Sequence, residues 1–219
     1  MRHVYALGVE VSTNGVDPLA TFNAHMVANG GKDLVTPELI RFEGHDGLEL
    51  SGWLYRAKRR GRARPPAMIS LHGGPEAQER PVFTPQHQVL VAAGVTVFAP
   101  NIRGSSGYGR FFVHADDRWG RFDAIHDVAG CAWLLADRQL ADPRRIAVSG
   151  RSYGGYATLM ALTEHPQLFA AGVDICGMSD LLTFYRDTEP WIAAAAVTKY
   201  GDPVRDAALL AEEIGRAHV

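Results

Sequence analysis

Ser152 is the residue of this chain best placed to act as a nucleophile. It lies in Gly150-Arg151-Ser152-Tyr153-Gly154, directly after a short apolar run, residues 146–148, and directly before a helix-like run, residues 156–162. A serine hydroxyl is a weak nucleophile unless a strained strand-to-helix turn exposes it to a base and to backbone N–H donors. Glycines two positions before and two after the serine let the chain turn that tightly. The pattern predicts a nucleophile elbow, and its plain alternative is a glycine-rich turn that only joins a strand to a helix.

A second motif supplies another part of such a site. Residues 67–71 are typical of a buried strand and run into His72-Gly73-Gly74-Pro75, the kind of loop that provides the second oxyanion donor in α/β-hydrolases. We therefore expect the backbone N–H groups of Tyr153 and Gly74 to form an oxyanion hole. His72 precedes the serine, whereas this fold orders its triad as serine, acid and histidine, so His72 is predicted only to shape the loop.

Four stretches carry a resemblance to a known family: residues 46–55 (DGLELSGWLY), 72–76 (HGGPE), 101–109 (NIRGSSGYG) and 150–156 (GRSYGGY). Together they resemble the prolyl oligopeptidase family of serine peptidases, particularly its acylaminoacyl-peptidase and dipeptidyl-peptidase-like members. The similarity runs from about residue 37 to about residue 211. The resemblance implies a catalytic domain that follows a β-propeller, and peptide substrates that are cleaved near an end.

The chain departs from this family after the serine. The family places its acid and its histidine in loops roughly 80 and 110 residues beyond the serine, but only 219 − 152 = 67 residues follow Ser152 here. We therefore expect the triad acid, the triad histidine and the last strands of the sheet to lie beyond this chain. Ser152, Asp180 and His218 do occur in triad order. However, His218 is in a short polar tail with no strand before it to hold the imidazole in place.

Three segments are predicted along the chain. Residues 1–36 contain short runs around turn signals and are interpreted as the remnant of a preceding β-propeller or as a linker. Residues 37–212 are predicted to form a partial α/β-hydrolase catalytic domain. Residues 213–219 resemble the translation of a common sequencing adapter, so we interpret them as foreign to the protein.

Strand-like and helix-like runs alternate through the catalytic segment. Strands are expected at residues 48–55, 67–71, 95–99 and 171–176 and before the serine, with helices at residues 86–93 and 122–135 and after the serine. This alternation predicts an α/β fold with a mostly parallel sheet, covered by helices on both faces and incomplete at its C-terminal strands. The basic residues 56–64 are interpreted as a solvated hairpin connection between the first two strands and not as a nucleic-acid site.

A few further polar residues are candidates for a role. Arg103, in a loop above the sheet, either contacts substrate carbonyl groups or pairs with a local carboxylate, and both alternatives stay open. His114 with Asp116-Asp117 is a weak signal for a metal site, since a single loop without a second cluster rarely holds a metal. His165 is interpreted as a capping or surface histidine at the end of a helix.

Composition limits the remaining functions. The chain has 47% hydrophobic residues, 21% charged residues and a net charge of −2, which is typical of a globular domain and not of a nucleic-acid partner. No run approaches the ~18 apolar residues of a membrane span, and the N-terminus lacks a signal pattern, so the cytoplasm is the simplest location. Cys131 and Cys176 are too few for a disulfide framework and lack metal-ligand spacing, so we expect both to be buried and reduced.

These observations favour a serine peptidase that hydrolyses short peptides through an acyl-enzyme on Ser152. The sequence implies no cofactor and no metal ion, and it leaves the oligomeric state open. As written, the chain is expected to be inactive because the acid and the histidine are missing. The alternatives are a carboxylesterase of the same fold and a catalytically dead interaction module.

Overall fold

Six strands form one sheet in the part of the chain that the structure describes. A computed structural model describes residues 34–58 and 61–217, with side chains as far as Glu212. The strands are β1 (Glu38–Glu43), β2 (Glu49–Tyr55), β3 (Ala67–Leu71), β4 (Thr96–Asn101), β5 (Ile146–Arg151) and β6 (Ala171–Ile175). Their order across the sheet is β1-β2-β4-β3-β5-β6. The pairs β1–β2 and β2–β4 are antiparallel, and the remaining three pairs are parallel. The predicted mostly parallel sheet is therefore confirmed.

The described helices alternate with these strands and then follow them. They are α1 (Pro85–Ala92), α2 (Arg110–Val113), α3 (Gly120–Asp137), α4 (Tyr153–Glu164), α5 (Leu181–Asp187), α6 (Pro190–Tyr200) and α7 (Ala207–Ala217). Both α1 and α6 begin at a proline, which is tolerated there because the first N–H groups of a helix have no intrahelical acceptor. The boundaries agree with the sequence pattern to within a few residues.

Helices cover both faces of the sheet, as predicted. Side chains alternate between the two faces along a strand, and β4 shows this directly. Phe98 belongs to the large core formed with α3 and α4, whereas Val97 and Ala99 belong to a smaller core with Val91 of α1. All three β4 side chains are fully buried. The sheet is thus the middle layer between α1 on one side and α3 with α4 on the other.

The sequence missed one strand, and two sequence-based expectations were wrong. The edge strand β1 was not predicted, because its apolar residues are interrupted by Arg41 and most of its positions are exposed. β2 and β3 are not hairpin neighbours, because β2 pairs with β1 and β4 and the strand order places β4 between β2 and β3, so the predicted hairpin connection at residues 56–64 is wrong. Finally, Cys131 is buried as expected, but Cys176 is exposed just after β6.

The predicted segment boundaries fall largely outside what the structure describes. Of the proposed propeller remnant, residues 1–36, only residues 34–36 are described, and they are not in a strand. The backbone of α7 continues to Ala217, into the segment that resembles a sequencing adapter. The division into three segments therefore stays a prediction. None of the described helices combines the length and apolar character that crossing a membrane requires.

Strand β6 is an exposed edge of the sheet. It pairs with β5 on one side and ends the strand order on the other. All five of its residues are exposed, including Val173 and Ile175 at 48% each. A Cβ on Gly172 would meet the side chain of Leu162 in α4, so the alternating residues 171, 173 and 175 face away from that helix. An apolar edge with unpaired backbone groups is a template for association between chains.

We expect the 219-residue chain to self-associate through this edge, and Val173→Lys to reduce the association because a lysine on an edge disfavours strand pairing. Size-exclusion chromatography with light scattering measures the change. The matched control is Val204→Lys, the same substitution at a valine that is 85% exposed between α6 and α7. Equal oligomer distributions for the two variants would show that β6 is not the contact.

Candidate active site

Ser152 lies at the turn between β5 and α4. Its backbone has φ 57° and ψ −120°, a conformation that a residue with a Cβ rarely adopts and that costs about 1–3 kcal/mol. The turn is held from both sides, because the N–H of Ser152 donates to the carbonyl of Ile175 at 2.9 Å and its carbonyl accepts from Tyr156 at 3.0 Å. The Ser152 side chain is exposed. The surrounding hydrogen bonds thus fix a strained turn that presents the hydroxyl to solvent.

Two glycines make this turn sterically possible. A Cβ on Gly150 would lie 2.3 Å from the backbone of Gly154, and a Cβ on Gly154 would lie 2.4 Å from the carbonyl oxygen of Leu71. Real side chains do not approach backbone atoms that closely. The end of β5, the start of α4 and the end of β3 therefore meet backbone to backbone, as the glycine spacing predicts.

The loop after β3 passes directly over the serine. A Cβ on Gly73 would lie 3.0 Å from the Arg151 carbonyl oxygen and 3.5 Å from the Ser152 Cβ. Gly74 has φ 121°, and a Cβ there would lie 2.6 Å from the Ala77 nitrogen. Tyr153 is the first residue of α4, where a backbone N–H has no acceptor within its own helix. Ser152, the start of α4 and the Gly73-Gly74 loop thus lie next to one another.

A cleft of about 470 Å³ opens at this place. Its lining comes from the β3 loop, the turn at Ser152 and the helices α5 and α6. The residues that line it are Gly74, Pro75, Glu76, Ala77, Ser152, Met178, Phe184, Ile192, Ala195, Ala196, Lys199 and Tyr200. Most of these side chains are apolar, so the cleft suits an apolar group next to the serine hydroxyl.

A buried polar network supports the floor of the cleft. The Tyr153 hydroxyl donates to Asp116 at 3.0 Å, and the Lys199 ammonium donates to the other oxygen of Asp116 at 2.8 Å. Lys199 also forms an ion pair with Asp117 at 2.8 Å. Burial opposes the charge on Lys199, but these two carboxylates raise the pKa of its ammonium. The rings of Tyr153 and Tyr200 stack with centroids 6.1 Å apart, which ties α4 to α6.

Sequence reasoning missed the role of Lys199. It is separated by 83 positions from Asp116, and no local motif connects the two. The weak metal pattern at residues 114–117 contains the two aspartates that contact Lys199, but nothing in that pattern indicates a lysine partner. In the structure His114 pairs with Asp117 at 2.9 Å at the surface, while Asp116 is directed inward to Lys199 and Tyr153.

Arg103 forms the pairing with local carboxylates that was one of its two predicted roles. Its guanidinium is 4% exposed and binds Asp127 through Nε at 2.8 Å and Asp46 through Nη2 at 2.9 Å. Burial opposes the charge, but both carboxylates raise the pKa of the guanidinium, and the hydrogen bond from Arg103 lowers the pKa of Asp46 to about 2. The side chain does not line the cleft at Ser152. The predicted pairing with a local carboxylate is present, and it occupies the donors that a substrate carbonyl would need.

The other histidine and aspartate candidates have local partners. His72 contacts the Gly73 carbonyl oxygen and the Ser105 hydroxyl, both at 2.8 Å, and burial lowers the pKa of its imidazole. Asp180 caps α5, where its carboxylate accepts from the N–H of Thr183 at 3.0 Å. His218 lies outside the described residues.

The matching family model covers residues 81–214, more than half of the chain, and its description is the prolyl oligopeptidase family. The chain belongs to the prolyl oligopeptidase family. The resemblance stated from the four sequence stretches is thereby confirmed. Ser152, its turn and α4 all fall inside the matched residues.

Relatives within this family include named peptidases. The chain is 33% identical over 190 residues to the dipeptidyl aminopeptidase BIII of Pseudoxanthomonas mexicana. The aligned residues are 81% of this chain and 27% of that protein. The solved acylaminoacyl peptidase of Pyrococcus horikoshii is 28% identical with a TM-score of 0.77, covering 86% of this chain and 30% of that one. A further acylaminoacyl peptidase structure, in complex with Z-Gly-Gly-Phe-chloromethyl ketone, is 27% identical with a TM-score of 0.76 and covers the same shares. These likenesses confirm the α/β-hydrolase fold, and the chain spans less than a third of the length of these relatives.

The Arg103 network yields a stability prediction. Asp127→Asn should lower the free energy of unfolding by about 3 kcal/mol, because it removes a buried countercharge from a buried guanidinium. The matched control is Asp187→Asn, which breaks an Arg–Asp pair at the surface and should leave stability nearly unchanged because solvent screens that pair. Urea unfolding monitored by circular dichroism measures both. Similar losses in the two variants would mean that burial does not set the importance of Asp127.

Proposed function

We propose that this chain is part of a serine peptidase that hydrolyses short peptides through an acyl-enzyme on Ser152. The observation that carries the proposal is the positive-φ turn at Ser152, which presents the hydroxyl to a cleft bordered by the Gly73-Gly74 loop. This is the arrangement of a nucleophile elbow. Membership of a family whose relatives are named peptidases supports the same chemistry.

In the proposed reaction, the Ser152 oxygen attacks the scissile carbonyl carbon and the carbonyl oxygen becomes negatively charged. The backbone N–H groups of Tyr153 and Gly74 would form the oxyanion hole for that charge. Such a donor contributes on the order of 10²–10³ to the rate when it is held in place before the reaction. Tyr153 is well suited to this role, because its side chain is fixed by Asp116 and by stacking on Tyr200.

The cleft supports a peptide with an apolar side chain beside the scissile bond. Met178, Phe184 and Tyr200 would contact that side chain. Glu76 lies at the edge of the same cleft with its side chain 52% exposed, where a carboxylate can accept a hydrogen bond from a peptide amine or amide. The peptide complex of a related acylaminoacyl peptidase is in keeping with this substrate class.

The base for Ser152 is proposed to come from residues beyond those described. Within the described residues, no side chain forms a hydrogen bond with the Ser152 hydroxyl, and the aspartates near the cleft are engaged by Lys199, Tyr153 and Thr183. We infer that a histidine and an acid from a longer chain complete the triad. A cytoplasmic location and the absence of a cofactor are further parts of this proposal.

The 219-residue chain should therefore have little or no peptidase activity, whereas a longer chain translated from the same gene should have it. Losing the base of a serine triad lowers turnover by about 10⁶, because the members act as a unit. The assay compares the 219-residue chain, the longer chain and the longer chain with Ser152→Ala on aminoacyl p-nitroanilides.

Each outcome of this assay tests a different assignment. Full turnover by the 219-residue chain would mean that a base is present within it, which would return attention to His218. Unchanged turnover in Ser152→Ala would remove Ser152 as the nucleophile. Replacing the anilides by short-chain p-nitrophenyl esters tests the carboxylesterase alternative, which requires the longer chain to turn over the esters without measurable turnover of the anilides. A longer chain that cleaves neither substrate would favour an interaction module.

A further inference from the structure

A cluster of three metal-ligating side chains lies apart from the cleft. It consists of His45 in the turn between β1 and β2, and of Asp123 and His126 on α3, and we refer to it as the His45 cluster. One ligand atom from each residue lies within 4.8 Å of the other two. Asp123 and His126 are three positions apart on a helix, so they lie on the same face. None of the three residues lines the cleft at Ser152.

One ligand spacing in the cluster, that between His45 and Asp123, matches the spacing in a zinc site. Two ligands that each lie about 2.0–2.1 Å from a tetrahedral zinc ion are about 3.3 Å apart. His45 Nε2 and Asp123 Oδ1 are 3.2 Å apart. Two imidazoles and a carboxylate form a donor set that suits zinc and neighbouring divalent transition metals, and three protein ligands leave a fourth position for water. The side chains of His45 and Asp123 are 34% and 46% exposed, so an ion can enter from solvent.

The local charge also favours a divalent cation. Arg103 contacts three carboxylates, namely Asp46, Asp127 and, at 3.7 Å, Asp123. One guanidinium against three carboxylates leaves a charge of 1 − 3 = −2 in this group of contacts. Arg103 faces Oδ2 of Asp123, whereas His45 faces Oδ1. A divalent ion bound at Oδ1 would therefore neutralise the excess negative charge on the side of the carboxylate that Arg103 does not contact.

Two histidines, one in the cluster and one beside it, each have a buried ring nitrogen without a hydrogen-bond partner among the described residues. Nδ1 of His126 is buried and has no hydrogen-bond partner among the described residues, and the same holds for Nε2 of His165. The ring of His126 lies between those of His45 and His165, with centroid distances of 5.0 and 5.3 Å. Leaving a buried polar nitrogen unpaired destabilises the folded chain. An ion bound at Nδ1 of His126 would supply the partner that the described residues do not.

We propose that the His45 cluster binds one divalent transition-metal ion of the zinc class and thereby fastens the β1–β2 turn to α3. The ligands would be the imidazoles of His45 and His126 and the carboxylate of Asp123. The ion would be structural, since the cluster is separate from the residues that line the cleft. This inference does not depend on the proposed peptidase activity.

The test is a titration of the 219-residue chain, prepared without a polyhistidine tag, with Co²⁺ followed by displacement with Zn²⁺. Tetrahedral Co²⁺ is detected by its visible absorption, so the signal reports the coordination geometry and not only binding. We expect one Co²⁺ per chain, displaced by one Zn²⁺, and a higher unfolding temperature with Zn²⁺ because only the folded chain holds all three ligands together.

Substitutions identify the ligands. His45→Gln, Asp123→Asn and His126→Gln should each weaken binding by about tenfold or more, roughly 1.4 kcal/mol. The matched control is His114→Gln, which removes a histidine that pairs with a single surface aspartate and should leave binding unchanged. Circular dichroism of each variant verifies folding, and His45→Gln is the decisive variant because it lies in an exposed turn. The absence of saturable binding by the unsubstituted chain up to about 1 mM metal, or equal affinity in His45→Gln and His114→Gln, would overturn the proposal.

Discussion

The structure around the cleft depends on one steric constraint, the backbone contact between the end of β5, the start of α4 and the end of β3. At Gly150 and Gly154 no side chain fits, because the Cβ positions are 2.3–2.4 Å from other backbone atoms. This contact forces Ser152 into a positive φ. It also fixes the Tyr153 N–H and the Gly73-Gly74 loop relative to the serine. Tight backbone packing therefore sets the geometry that the proposed reaction needs, and the described residues form no hydrogen bond to the serine side chain itself.

Two buried cations hold the loops that surround this contact. Arg103 joins the β1–β2 turn to α3 through Asp46 and Asp127. Lys199 joins α6 to the loop before α3 through Asp116. Buried ion pairs stabilise little relative to apolar packing, but removing one partner is costly, so they specify a single arrangement. In this chain they hold the β1–β2 turn against α3 and the loop before α3 against α6.

The sequence predicted the features that local chemistry determines. The glycine spacing around Ser152 and the loop after residues 67–71 were sufficient to locate the turn, its flanking strand and helix, and the loop that covers it. What it could not provide was the set of partners far apart along the chain. Many positions along the chain separate β2 from β4, Arg103 from its carboxylates and Lys199 from Asp116, and no local pattern connects these partners. Only the folded sheet brings them together.

The contacts of Lys199 with Asp116 and Asp117 determine whether its ammonium can stabilise negative charge at the cleft. Lys199 borders the cleft, and an ammonium there would be an obvious partner for an oxyanion. However, its side chain is 6% exposed and its charge is already balanced by Asp116 and Asp117. Among the described residues that line the cleft, Lys199 is the one cation, and the adjacent lining is apolar. The proposed oxyanion hole therefore relies on backbone dipoles, which act only if they are aimed in advance. The glycine contact at the turn is what fixes that aim.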